Sequence, residues 1–205
     1  MMKSLNGGPR LGDLIAISGT DAEQCRETMA LLALDLHHAA GVKVEIVINS
    51  GVENVFLSEL ERRHQHPEVS QALSQSQYSG EIRIHPHCDL DCSLIEFSSF
   101  PACLTFVGRK CGDEGRLAVL VDLTQIHEAA QGFPESAAEL LPALDKWRSY
   151  ARMYGVPFFV SMNCDLRSAR MAGLRKHFDA AIYVHADASG ALCLSSISLE
   201  PRHEI

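Results

Sequence analysis

Leu117-Ala-Val-Leu-Val-Asp122-Leu123 is an apolar run with a single carboxylate near its end. It does not alternate polar with apolar, so a strand built from it must be covered on both faces, as strands of a parallel sheet are. Residues 14–18 and 157–161 read the same way, residues 42–48 (Val-Lys-Val-Glu-Ile-Val-Ile) are a β-branched strand, and residues 81–85 form a further strand. Helical stretches lie between them. Residues 27–40 carry Met29, Leu31, Leu32, Leu34 and Leu36 around the whole helix, with Gly41 as the stop. Residues 52–64 read as a polar helix. Residues 135–154 form a long one that Pro142 should kink or restart and Gly155 should close. Residues 166–177 read as a short basic helix or loop. Residues 181–185 and 191–199 are two last strands around a turn at Ala188-Ser-Gly190. The expected fold class is α/β: a mostly parallel sheet with helices on both faces and antiparallel edge strands at the C-terminus.

A chain of 205 residues with 46% hydrophobic and 21% charged content suits one soluble domain, taken as residues 11–200. Residues 1–10 are read as a flexible segment and 201–205 as a tail. No apolar run reaches the roughly 18 residues that cross a bilayer, and the first residues lack an apolar signal core. A cytoplasmic protein without membrane contact is expected. Seven cysteines, an odd number, point to reduced thiols. A net charge of −8 argues against nucleic-acid binding by the whole surface.

Ser18-Gly-Thr-Asp-Ala-Glu-Gln-Cys25-Arg-Glu joins the first strand to the first helix, where a P-loop would sit. A P-loop needs glycines to turn backbone N–H groups onto phosphates, a Lys for the β/γ-phosphates and a Ser/Thr for magnesium. Here Gly19 is the only glycine, Cys25 stands near the Lys position, and Asp21 and Glu23 would repel a triphosphate.

Four strings in order carry a resemblance to a known family. They are Arg10-Leu-Gly-Asp-Leu-Ile-Ala-Ile-Ser18, Ala118-Val-Leu-Val-Asp122-Leu-Thr-Gln125-Ile, Tyr150-Ala-Arg-Met-Tyr-Gly-Val-Pro157-Phe-Phe-Val-Ser161 and Phe178-Asp-Ala-Ala-Ile-Tyr-Val184. Together they resemble the RecA-like motor domain of DnaB-type replicative helicases: the strand into the P-loop, the Walker B strand, a later helix end with its strand, and an Asp-Ala-Asp-Leu-Ile stretch. The resemblance implies a RecA-like sheet. It also implies catalytic parts that are missing here. The family's catalytic Glu falls in Ile48-Asn-Ser50-Gly, and the last strand, Leu192-Cys-Leu-Ser-Ser-Ile-Ser-Leu199, has no Lys or Arg for an arginine finger. The region of DNA-contacting loops is shortened to Asn163-Cys-Asp-Leu-Arg-Ser-Ala-Arg-Met-Ala-Gly-Leu-Arg-Lys176. Phosphoryl transfer rests on positioned charge, so hydrolysis is not expected.

Arg167, Arg170, Arg175 and Lys176, with His177, form a candidate phosphate- or partner-binding patch. In a helix Arg167 and Arg170 would share a face, while Arg175 and Lys176 would not. A solvated basic face is the plainer reading. His85-Pro-His87-Cys88-Asp-Leu-Asp-Cys92 offers four soft-metal ligands, and Cys103 or Cys111 could add to them. The spacing departs from paired zinc knuckles, so no metal site is assigned. Cys25 as a nucleophile is opposed by its neighbours Glu23 and Glu27. The tract Arg62-Arg63-His64-Gln-His66 reads as an exposed helix end.

The reading is therefore a non-catalytic relative of a helicase motor domain, with no cofactor. It would act by protein–protein interaction in DNA replication, recombination or a mobile-element process. Its partner would be a helicase or another replication or recombination protein, or, weakly, its own copies. One alternative is an enzyme or sensor that binds a nucleotide or metal in an altered pocket. Another is a DNA-binding module acting through residues 167–177.

Overall fold

The computed structural model describes residues 12–40, 42–49, 82–87, 117–124 and 135–199. They form one seven-stranded sheet. Its strands are β1 (Leu14–Gly19), β2 (Lys43–Asn49), β3 (Ile82–His87), β4 (Leu117–Asp122), β5 (Phe158–Asn163), β6 (Ala180–Ala186) and β7 (Leu192–Ser198), in the order β3-β2-β4-β5-β1-β6-β7. Every pairing is parallel except that of β6 with β7. Helix α1 (Ala22–Ala40) follows β1, and α2 (Glu135–Tyr154) precedes β5. A 3-10 turn (Ala169–Met171) and the short α3 (Ala172–Arg175) connect β5 to β6.

The unbroken apolar strands have the cause inferred from their composition: both faces of the sheet are covered. On one face Ile15, Ile17, Leu120 and Phe159 pack with Met29 and Leu32 of α1. On the other, Leu14, Val119 and Val160 pack with Leu144, Trp147 and Ala151 of α2. Successive strand residues serve opposite cores, which is why most positions on both faces are apolar, with Ser18, Glu45, Asp122 and Ser161 as buried polar exceptions. In α2, Leu140, Leu144, Trp147 and Ala151 recur at four-, three- and four-residue intervals, so one stripe meets the sheet.

Pro142 does not restart α2, one of the two outcomes expected from the sequence: the helix is continuous from Glu135 to Tyr154. It lies inside the helix on an exposed position, and buried Leu140 and Leu144 hold the chain to the sheet on either side of it. Packing thus outweighs the loss of one backbone bond. Gly155 closes the helix as expected: its φ is 63°, and the N–H of Val156 reaches back to the carbonyl of Ala151 at 3.0 Å. Helix α1 begins at Ala22, five residues before the expected Glu27. Strand β3 runs through Pro86, beyond the expected end at His85. Among the described residues it is an edge strand paired with β2 alone, so a missing N–H is tolerated there. The segment 166–177 holds a 3-10 turn and a single helical turn rather than one helix.

Several expectations fall outside the described residues: the segment 1–10, the helix 52–64, the tract Arg62 to His66, the tail 201–205, and Cys88, Cys92, Cys103 and Cys111. Among the described residues no helix is long and apolar enough to cross a membrane.

Leu120 is fully buried in the core under α1. Leu120→Ala is expected to lower the unfolding free energy by about 2–5 kcal/mol in denaturant titrations, through lost burial and the cavity left behind.

Candidate functional site

Ligands of open α/β sheets bind outside the carboxyl ends of the strands. At that edge β1, β5 and β4 end side by side, with the first turn of α1 above them. Asp21 is the N-cap of α1. Its Oδ1 accepts from the N–H of Glu23 at 2.9 Å and of Gln24 at 3.2 Å. Those N–H groups are the ones a helix start would offer to an anion. The chain's own carboxylate takes these two, so a phosphate would meet a negative charge in place of those donors.

Counting Gly19 as the first glycine of the P-loop spacing puts Gln24 at the second glycine, Cys25 at the Lys and Arg26 at the magnesium-binding Ser/Thr. Arg26 then meets the carboxylate of the Walker B-like strand directly. Its Nε donates to Asp122 Oδ2 at 3.1 Å, in a pair whose side chains are 9% and 2% exposed. Asp122 Oδ1 accepts from the backbone N–H of Thr124 at 3.0 Å and from its hydroxyl at 2.7 Å. Both oxygens are committed, and a guanidinium stands beside them. A magnesium ion bridging Asp122 to a nucleotide would have to displace that fixed positive charge, so these residues do not fit a magnesium nucleotide.

The turn itself is packed shut. A Cβ added at Gly19 would lie 2.9 Å from Cys25 Sγ and 3.0 Å from the carbonyl oxygen of Val184 on β6. The glycine therefore serves close packing of helix, turn and sheet. Cys25 is fully buried, its Sγ 3.6 Å from the carbonyl oxygen of Met162, and its thiol pKa is pushed up to about 12 by burial first and by Asp122 next. Such a thiol stays neutral and is no nucleophile. Cys164 is likewise pushed up to about 12, by burial and then Asp165.

The basic segment is fastened to the same edge by Ser18, whose hydroxyl donates to the carbonyl of Cys164 at 2.6 Å and accepts from the N–H of Leu166 at 3.1 Å. Below it, Leu174 and Phe178 are buried, and His177 Nδ1 lies 2.6 Å from Asp145 Oδ1 on α2. His177 is thus part of the packing and does not belong to an exposed patch. The four cations divide. Arg167 is held by Asp165, Nε to Oδ1 at 2.9 Å, and its guanidinium lies 5.1 Å from the centre of the Tyr183 ring. That hydrogen bond holds the Asp165 carboxyl below the usual carboxylate range. Arg175 reaches the carbonyl of Leu166 at 3.4 Å and opposes the upward push of burial on the Tyr183 hydroxyl. Arg170 and Lys176 are exposed and make no hydrogen bond or ion pair among the described residues. Arg167 and Arg170 do not share a helix face, because Arg167 precedes the 3-10 turn.

His85 and His87 lie on β3, and Cys88 and Cys92, the other two candidate ligands of that string, lie outside the described residues. Among the described residues, no group of three or more His, Cys, Asp or Glu could hold a metal. Sequence reading missed the partnership of Arg26. The signal was present in the P-loop spacing itself, once Gly19 anchors the count. No protein-family model matches the chain, and no curated protein matches its sequence.

Two outcomes follow. Asp122→Ala should destabilise the fold by about 3–5 kcal/mol, because it strands a buried guanidinium, whereas Arg26→Met with Asp122→Leu should recover most of that loss. A double-mutant cycle read by denaturant unfolding checks this. Both buried thiols have pKa values raised from 9.0 to about 12, so the folded state holds their protons more tightly than the unfolded chain. Their contribution to stability is fully present below about pH 9 and is lost as pH rises toward about 12, which melting curves across that window would register.

Proposed function

We propose that this protein is a non-catalytic, RecA-like relative of DnaB-type helicase motor domains that works by binding another protein in DNA replication, recombination or a mobile-element process. The observation that carries the reading is the direct Arg26–Asp122 pair. It joins the residue at the magnesium-ligand position of a P-loop to the carboxylate of a Walker B-like strand, so the two ends of a nucleotide site are tied to each other. The Asp21 cap on the α1 N-terminus supports it from the phosphate side. The α/β sheet, with β1 feeding α1 and Asp122 ending β4 under that helix, supports the scaffold half of the reading.

A scaffold whose site is filled from within has surface left to work with. Its net charge of −8 disfavours a nucleic-acid backbone at long range and leaves protein contact as the better use of that surface. Self-association, where it occurs, would not need ATP, because no nucleotide would be clamped between copies.

The protein should neither hydrolyse ATP nor bind it at millimolar magnesium. Calorimetric titration with a non-hydrolysable ATP analogue and a phosphate-release assay check this. A magnesium-dependent rate abolished by Asp122→Asn in a variant that still folds would overturn it, as would an ATP-dependent hexamer in sedimentation.

A further inference from the structure

We propose that the exposed side of the 3-10 turn and α3, carried by Arg170, Arg175 and Lys176, is a docking surface for an acidic protein segment. This rests on the reading of the protein as a binding scaffold and names the chemistry of the partner. Residues 166–176 hold four of the chain's 18 basic residues and none of its 26 acidic ones, so the remaining residues stand at 14 against 26, a net of −12. The segment is a run of positive charge in a chain whose net charge is negative.

The four cations are not equivalent. Arg167 is committed to Asp165 and the Tyr183 ring. Arg170 and Lys176 are exposed and uncommitted among the described residues, and Arg175 spends one N–H group on the Leu166 carbonyl at 3.4 Å. The platform beneath them is fixed: Ser18 holds Leu166, Leu174 and Phe178 are buried, and His177 meets Asp145. A fixed backbone leaves the side-chain rotamers of these cations as what a partner has to order.

The size of the segment selects the partner. Nucleic-acid binding rests on many phosphate contacts and weakens steeply with salt, and three cations supply few of them, while the net charge of −8 opposes a long charged backbone at distance. Three cations suit a short run of two or three carboxylates, which need not extend past the segment. Charge complementarity then sets partner choice and encounter rate.

The test uses the full chain and two fluorescent probes of equal charge: a peptide of alternating glutamate and serine, and a single-stranded oligonucleotide. Anisotropy at low salt should show the peptide bound at least as tightly as the oligonucleotide. Arg170→Glu with Lys176→Glu should weaken peptide binding by about tenfold or more, and Arg167→Ala should leave it within about twofold. Melting temperatures identify any variant that has lost its fold, and Arg170→Gln with Lys176→Gln then serves as a milder substitute. No peptide binding, equal losses from the Arg167 variant, or a preference for the oligonucleotide would overturn the docking surface. Asp122-dependent ATP hydrolysis with the peptide still bound would overturn the scaffold reading instead, so the two failures are distinguishable.

Discussion

The buried pair of Arg26 and Asp122 is the constraint around which the carboxyl edge of the sheet is arranged. A guanidinium taken out of water is tolerable only when its charge and its N–H groups are answered, and removing one partner costs far more than the pair contributes. The pair fixes the first turn of α1 over β4. That turn in turn fixes Cys25 against β5 and Gly19 against β6. Three strands and a helix are thereby locked by one charged contact and the tight packing beside it. The opposite end of the sheet has its own clamp: Asp179 accepts from the N–H of Leu14 at 2.8 Å and from Arg148 and Arg152 of α2.

Much of the architecture was legible because burial on both faces writes itself directly into composition. Unbroken apolar strands, Gly155 as a helix stop and the polar turn before β7 were each readable from local chemistry. What was misread depended on contacts made at a distance. The early start of α1 was hidden because the search for a phosphate cradle treated Asp21 as a repulsive charge. In the fold it is a capping acceptor, which is a strong local signal for a helix start. At Pro142 local propensity allows the helix to restart, and the Leu140–Ala151 stripe keeps it continuous.

The candidate site was legible only in part. The single glycine and the Cys25 of the turn after β1 can be counted, but the sequence does not display that Arg26 pairs with Asp122. Arg26 looked like one more charge in a polar turn, although its Asp122 partner is 96 residues away. The basic segment shows the same limit. Four cations in a short stretch read as one patch, and only the backbone geometry separates Arg167, paired at the surface with Asp165 and lying over the Tyr183 ring, from Arg170 and Lys176.

The close packing at Gly19 bears on how such a chain can change over generations. Placing a Lys at position 25 would thrust an ammonium into a dry core, and replacing Arg26 with a small hydroxyl residue would leave Asp122 bare. Freeing the helix start would mean giving up the Asp21 cap. Each step alone loses stability before any nucleotide could repay it. Along a path of single substitutions the arrangement behaves as a ratchet: drift can reshape the surface freely, while the edge of the sheet is held where it is by the folding of the protein itself.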